Sequence, residues 1–240
     1  MVLGWQEFIL YLVFAAGTAA SLFAFMWGRR LKKLGNAPKA VREDPAFKEF
    51  LEGGLAIGGE TEADAPSPKA LLAILALQLE NPMNFMHVSW SKMGRRVGQL
   101  HVERISDNEL SFYAEGLNIS QGLVRAEAGP AGGTVKVRWA LQVPGSRTLV
   151  TVGQAWALFL GLPVSVAGPM LIFIYVLGAS NPATAAQFIQ VVQVAQLLWE
   201  PFLFIGLAWQ RLKWAGRYLE MLVAAAAFEA RTGRPARNAF

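Results

Sequence analysis

The placement of the basic side chains constrains this chain more than any other feature. All 22 Lys and Arg residues fall within 29–147 or 211–237, and none lies in 1–28 or 148–210. An ionised side chain is costly in hydrocarbon, so long stretches without a cation are candidates to cross lipid. Charged residues make up 16% of the chain, against about 25% in an ordinary soluble domain.

Three spans follow. The first runs from Trp5 to Trp27, 23 residues with Glu7 as the only charge. At 1.5 Å per residue it reaches about 34 Å, enough for a hydrocarbon core of about 30 Å. It is too long for a signal-peptide apolar region, and no basic residue precedes it. The second runs from Leu149 to Leu177, with Pro163 and Pro169 expected to bend it. The third runs from Ala186 to Trp209, joined to the second by the Gly178-Ala179-Ser180-Asn181-Pro182 turn. The basic stop Arg29-Arg30-Leu31-Lys32-Lys33 and the cluster Arg211, Lys213, Arg217 place the N-terminus and the turn outside, with 29–148 and the tail in the cytoplasm. Residues 29–148 carry 16 basic and 13 acidic residues, a balance that argues against nucleic acid.

The cytoplasmic insert opens with a tether. Asp44 can cap a short helix beginning at Pro45 and ending at Gly53-Gly54. Its Phe47, Phe50 and Leu51 share a face that either lies on lipid or docks on the next domain. Leu55 to Ala63 reads as a strand, weakened by Gly58-Gly59. Ser67 caps a helix that starts at Pro68 and runs to Leu79. Period-two alternation marks strands at Val97–Ile105, Glu109–Glu115, Ile119–Ala128 and Thr134–Val143, with hairpin signals at Asp107-Asn108 and 129–133. His87–Trp90 is a candidate further strand. The pattern predicts an antiparallel sheet with one buried face, covered by the apolar helix.

The strand ending Glu62-Ala63-Asp64-Ala65-Pro66, followed by Ser67-Pro68-Lys69-Ala70-Leu71-Leu72-Ala73-Ile74-Leu75, resembles the opening of the helix-grip superfamily of START-like and polyketide-cyclase-like domains. Gly132-Gly133-Thr134-Val135-Lys136-Val137-Arg138-Trp139 is similar to its last strand. The resemblance covers residues 55–148. It implies a sheet curled around a long C-terminal helix, with an apolar ligand or lipid held between them. Leu100, Val102, Leu110, Phe112, Val137 and Trp139 from the sheet, with Leu71, Leu72 and Leu75 from the helix, would line that pocket. An ordinary filled core would use the same nine side chains. The chain departs from the family where the long helix should follow the last strand: Leu149 enters a membrane span instead. The interior is then closed by another segment or opens toward the bilayer.

Catalytic signals are lacking. With no cysteine, disulfides and thiolate chemistry are excluded. No phosphate-loop, G-x-G-x-x-G, G-x-S-x-G or H-E-x-x-H pattern occurs. His101 faces outward from a strand, His87 has no placed partner, and the sequon at Asn118 falls on the cytoplasmic side. The sequence nominates no enzyme, cofactor or metal. Glu200 is the residue that most invites a functional role, near the middle of the third span beside Pro201. Gln193, Gln196 and Glu200 share one helical face, and Pro201 releases the Leu197 carbonyl. The strip serves either as interhelical glue, bonding to Gln154, Ser165, Thr18 or Ser21, or as a path for a proton or cation. Ala16, Gly17, Ala20, Ser21 and Ala24 offer a close-packing seam.

The expected architecture is an α+β membrane protein: a transmembrane helix (1–28), a basic tether (29–54), a cytoplasmic helix-grip-like sheet domain (55–148), a transmembrane hairpin (149–210) and a basic tail (211–240). The expected function is a non-enzymatic inner-membrane protein presenting a START-like domain to an apolar ligand or lipid. The alternatives are an accessory subunit without a pocket and an ion-coupled component using Glu200. Expected partners are membrane lipids, with other membrane subunits or further copies of the chain.

Overall fold

The computed structural model describes residues 5–34, 37–52, 55–80, 100–114, 121–130, 132–171 and 197–235. Its elements, in chain order, are α1 (Trp5–Leu34), α2 (Lys39–Arg42), α3 (Pro45–Glu52), β1 (Ala56–Asp64), α4 (Pro68–Glu80), β2 (Leu100–Ile105), β3 (Glu109–Ala114), β4 (Gln121–Ala128) and β5 (Thr134–Gln142). Then come α5 (Pro144–Trp156), a π-helical turn (Ala157–Gly161), α6 (Leu162–Leu171) and α7 (Glu200–Thr232). The chain divides into two compact units, Met1–Lys33 with Thr148–Trp209, and Leu34–Arg147 with Gln210–Phe240. The candidate strand at His87–Trp90, the turn after the second span and residues 186–196 of the third span lie outside the described residues.

The second unit is a five-stranded antiparallel sheet in the order β1-β5-β4-β3-β2. Alternation sorts its faces as the sequence predicts. Val135, Val137, Trp139 and Leu141 of β5 are buried on one face, with Leu100, Leu110, Phe112, Val124 and Ala126. The inner face of β4 is that of Gly122, Val124 and Ala126. Gly122 is there because the Phe112 ring occupies the place of a side chain. Helix α4, capped by Ser67 Oγ accepting from the Ala70 N–H at 3.2 Å, lies against β2, β3 and β4.

The other half of that face is covered from an unexpected source. Residues 211–240, read above as a basic tail, are helical as far as Thr232 and belong to the sheet unit. Leu212, Ala215, Leu219, Leu222 and Ala226 are buried at helical spacing. Gly216 meets Trp139 and Ile57. The Trp139 indole thus lies between two glycines, Gly59 on β1 and Gly216 on α7. A β-carbon at Gly59 would overlap the indole, and one at Gly216 would sit 2.9 Å from it. The paired glycines that weaken β1 on propensity are therefore its fitting points: Gly59 admits the indole, and Gly58 admits Ala37 and Val41 of the tether on the opposite face.

In the first unit, the candidate membrane spans by length and apolarity are Tyr11–Lys32 and Gly145–Gly168. Most of their surface is not buried in the protein; Leu12, Phe23, Met26, Phe159, Val166 and Met170 are all more than half exposed, as side chains facing lipid would be. The interior is lined by small residues. On α1 the buried seam is Gly17, Ser21, Ala24 and Gly28, whereas Ala16 points outward and Ala20 is half-buried. Gly17 meets Leu198, Gly28 meets Gln154 and Gly153 meets Ile205. The bend expected at Pro163 is handled by the π-helical turn just before it, which absorbs the missing hydrogen bond by shifting register.

Replacing Gly59 with Ala should destabilise the sheet unit by about 1–3 kcal/mol through overpacking. A lowered thermal midpoint of the detergent-extracted chain, recovered in part by adding Trp139→Leu, is the check.

Candidate functional site

Three places in the molecule are built in a way that bears on function: the interior of the sheet, its outer face, and the start of α7 at Glu200.

The structure brings the predicted lining residues together in the interior. Leu71, Leu72, Leu75, Leu100, Leu110, Phe112, Val137 and Trp139 are 0–2% exposed, and Val102 is half-buried. These eight side chains are therefore closed off from bulk solvent. Trp139 Nε1 and Ser146 Oγ in this unit are buried with no hydrogen-bond partner among the described residues. Burial also pushes the Tyr218 hydroxyl on α7 above the usual tyrosine range.

On the outer face, the tether settles the choice left open for α3. Phe47, Val41, Ala37 and Ala140 form a buried cluster joined by Phe50, Leu51 and Leu123, so this apolar face docks on the sheet. Around it lies a charged seam. Asp44, with its side chain 7% exposed, accepts from the Ala46 N–H at 3.1 Å as the cap of α3. It also accepts from Arg125 at 3.1 Å and Arg138 at 3.4 Å. Glu60 pairs with Lys136 at 2.7 Å and Arg138 at 3.4 Å. The hydrogen bond from Lys136 holds the Glu60 carboxyl below its ordinary value, more than burial raises it, with Arg138 adding to the effect. His101, on the same face, lies 5.3 Å from the Tyr113 ring. Among the described residues no group of three or more His, Asp or Glu is placed to hold a metal.

The third place is the start of α7. Gln193 and Gln196 lie outside the described residues. Glu200 does not sit mid-helix: it opens α7 after the turn 197–199. There its partly exposed carboxylate meets the positive end of the helix dipole. Pro201 has no N–H to give the Leu197 carbonyl, and that carbonyl accepts from Trp156 Nε1 at 3.2 Å. The next freed carbonyl, Leu198, accepts from Ser21 Oγ at 2.6 Å. Gln154 Nε2 donates to the Phe25 carbonyl at 3.3 Å. Thr18 and Ser165, the other predicted partners, bond within their own helices, to Phe14 and Leu162. Glue is thus present, but supplied to backbone carbonyls rather than to the polar strip. Trp156 was missed because a tryptophan in an apolar run carries no sign of its partner.

A groove in the sheet unit was also not foreseen. It has a volume of about 370 Å³ and runs along the free edge of β1, from Thr61 to Asp64, against the α7 face of Glu220, Val223, Ala227 and Arg231. Comparison with known proteins yields no matching family model, no matching curated protein and no matching solved structure.

Two outcomes follow. Trp156→Phe should cost about 1 kcal/mol, because the Leu197 carbonyl loses its donor in a water-poor site; thermal unfolding in detergent checks it. Because the folded Glu60 pKa is lowered, its contribution to stability is present above the ordinary glutamate range and lost as pH falls through the lowered value. Acid titration of unfolding should therefore be shallower in Glu60→Gln below about pH 4.5, near the unperturbed glutamate pKa.

Proposed function

We propose that this chain is a three-span inner-membrane protein that acts as a non-enzymatic accessory or scaffold subunit, holding a solid cytoplasmic helix-grip-like domain against the bilayer. The N-terminus and the 178–185 turn lie outside, and residues 29–148 and 210–240 lie in the cytoplasm. The confinement of cations to 29–147 and 211–237 supports this orientation. The two apolar helices with outward-facing Leu, Phe and Met side chains support the membrane setting.

The family reading draws on the antiparallel sheet whose first strand lies beside its last, with a long helix against the inner face. In this reading α7 takes the place of the family's C-terminal helix, displaced along the chain by the inserted hairpin. One observation carries the choice of a scaffold over a ligand carrier: eight of the nine side chains that would line the pocket are 0–2% exposed. A protein that works through a solid module works through its surfaces, so its partners are other membrane subunits and the surrounding lipid.

The test is Leu75→Phe, measured on the full chain in detergent. A filled interior rejects the larger ring, and the variant should lose about 1–3 kcal/mol. A hollow one accepts it with an unchanged midpoint. That result, together with one lipid per chain retained in native mass spectrometry, would overturn the scaffold reading in favour of a ligand carrier.

A further inference from the structure

Four aromatic rings of the first unit meet on one exposed surface. Phe23 and Trp27 of α1 lie against Phe202 and Trp209 of α7. Ring centroids are 6.4 Å apart for Phe23–Phe202, and 5.9 Å apart for Trp27–Phe202 and Trp27–Trp209. The pairs rise in number together, so α1 and α7 run parallel along this seam. Rings that served only to pack the two helices would be closed off from the surroundings. Here Phe23, Phe202 and Trp209 are 54%, 39% and 40% exposed, and Trp27 is half-buried.

The ladder of rings has a gap. Gly206 follows Phe202 by four residues and precedes Trp209 by three, which puts it on the same face of α7. Gly17, Gly28 and Gly153 each have a side chain at 2.8–3.0 Å from the place of a β-carbon, whereas at Gly206 nothing lies within 4 Å. Glycine costs a helix about 1 kcal/mol relative to alanine, and no packing contact calls for it here. It leaves an open apolar notch between two rings.

One end of the ladder is cationic. Arg30 follows Phe23 by seven residues and Trp27 by three, so it stands on the ladder face of α1. It lies about 4.5 Å further along the helix axis than Trp27. Arg29 and Arg30 are exposed and form no ion pair among the described residues. No acidic side chain occurs in 23–30 or 202–209, so the surface is purely positive and offers an ammonium group no carboxylate. Apolar notch, tryptophan rings and guanidinium follow the order of acyl chain, ester and phosphate in a phospholipid.

We propose that this surface holds one anionic phospholipid of the inner leaflet. An acyl chain lies in the Gly206 notch, the ester region rests on Trp27 and Trp209, and the phosphate pairs with Arg30. The site rests on the membrane reading of the chain and names the class of lipid that the chain selects. The cation supplies the selectivity, and the rings and notch fix where the lipid sits.

The test uses the full chain reconstituted in phosphatidylcholine vesicles. A small fraction of the lipid carries bromine on its acyl chains, as phosphatidylglycerol in one sample and as phosphatidylcholine in the other. Bromine quenches tryptophan fluorescence at contact range. Brominated phosphatidylglycerol should quench as a lipid bound about fivefold more tightly, the factor for one cation acting on an anionic lipid. That preference should shrink as salt rises. Arg30→Gln and Gly206→Phe should each bring the two lipids level. Because Gly206 faces open space, its replacement should leave the thermal midpoint unchanged, which separates a blocked notch from a damaged fold. Equal quenching by both lipids in the unaltered chain, or a preference that either substitution leaves intact, sinks the lipid site alone. A chain that stays in solution when the vesicles are pelleted overturns the membrane reading, and the site with it.

Discussion

The inner face of the sheet is apolar along its strands and must be kept from water, and among the described residues two helices come against it. α4 lies against β2, β3 and β4, and residues 210–232 of α7 belong to the same unit and meet Trp139 of β5 and Ile57 of β1 at Gly216. The indole of Trp139 sets how close that helix comes. It fills the space left by Gly59 below and Gly216 above, so strand, side chain and helix fix one another's position. Removing the glycine on either side would push the helix off the face that it exists to cover.

The outer face is arranged differently. There the tether supplies the cover through Phe47, Val41 and Ala37, and a seam of charge surrounds them. Asp44 is central because one carboxylate does two things: it caps α3 and receives two guanidinium groups from β4 and β5. Partly buried pairs of this kind contribute modestly to stability, but they fix where the tether lies on the sheet.

Much of this was legible in the sequence, and the exceptions share a cause. Strand and helix limits in 55–143 agree with alternation and capping to within a few residues, because period-two patterning and Ser67-Pro68 are local signals. The Leu197 carbonyl freed by Pro201 was legible too, since proline chemistry is local. Its donor was not, because Trp156 lies 41 residues away in sequence. The apolar stripe at Leu212, Ala215, Leu219, Leu222 and Ala226 was present but masked by Arg211, Lys213 and Arg217, which read as membrane flank. Gly58 and Gly59 looked like flaws because the groups that fill their gaps come from α2 and β5. The groove along β1 could not be read at all, as its two walls are separated by more than 150 residues of chain.

The order of synthesis gives the split domain a particular exposure. Once Val143 has been made, the strands are complete, yet the helix that shields half their apolar face begins only at about Gln210. At roughly 5–20 residues per second, the intervening stretch takes about 3–13 s to emerge. During that interval the nascent sheet presents an uncovered greasy surface while the apolar stretch 148–209 is being synthesised. A ribosome stalled between these points would leave a product whose uncovered apolar face is prone to aggregate.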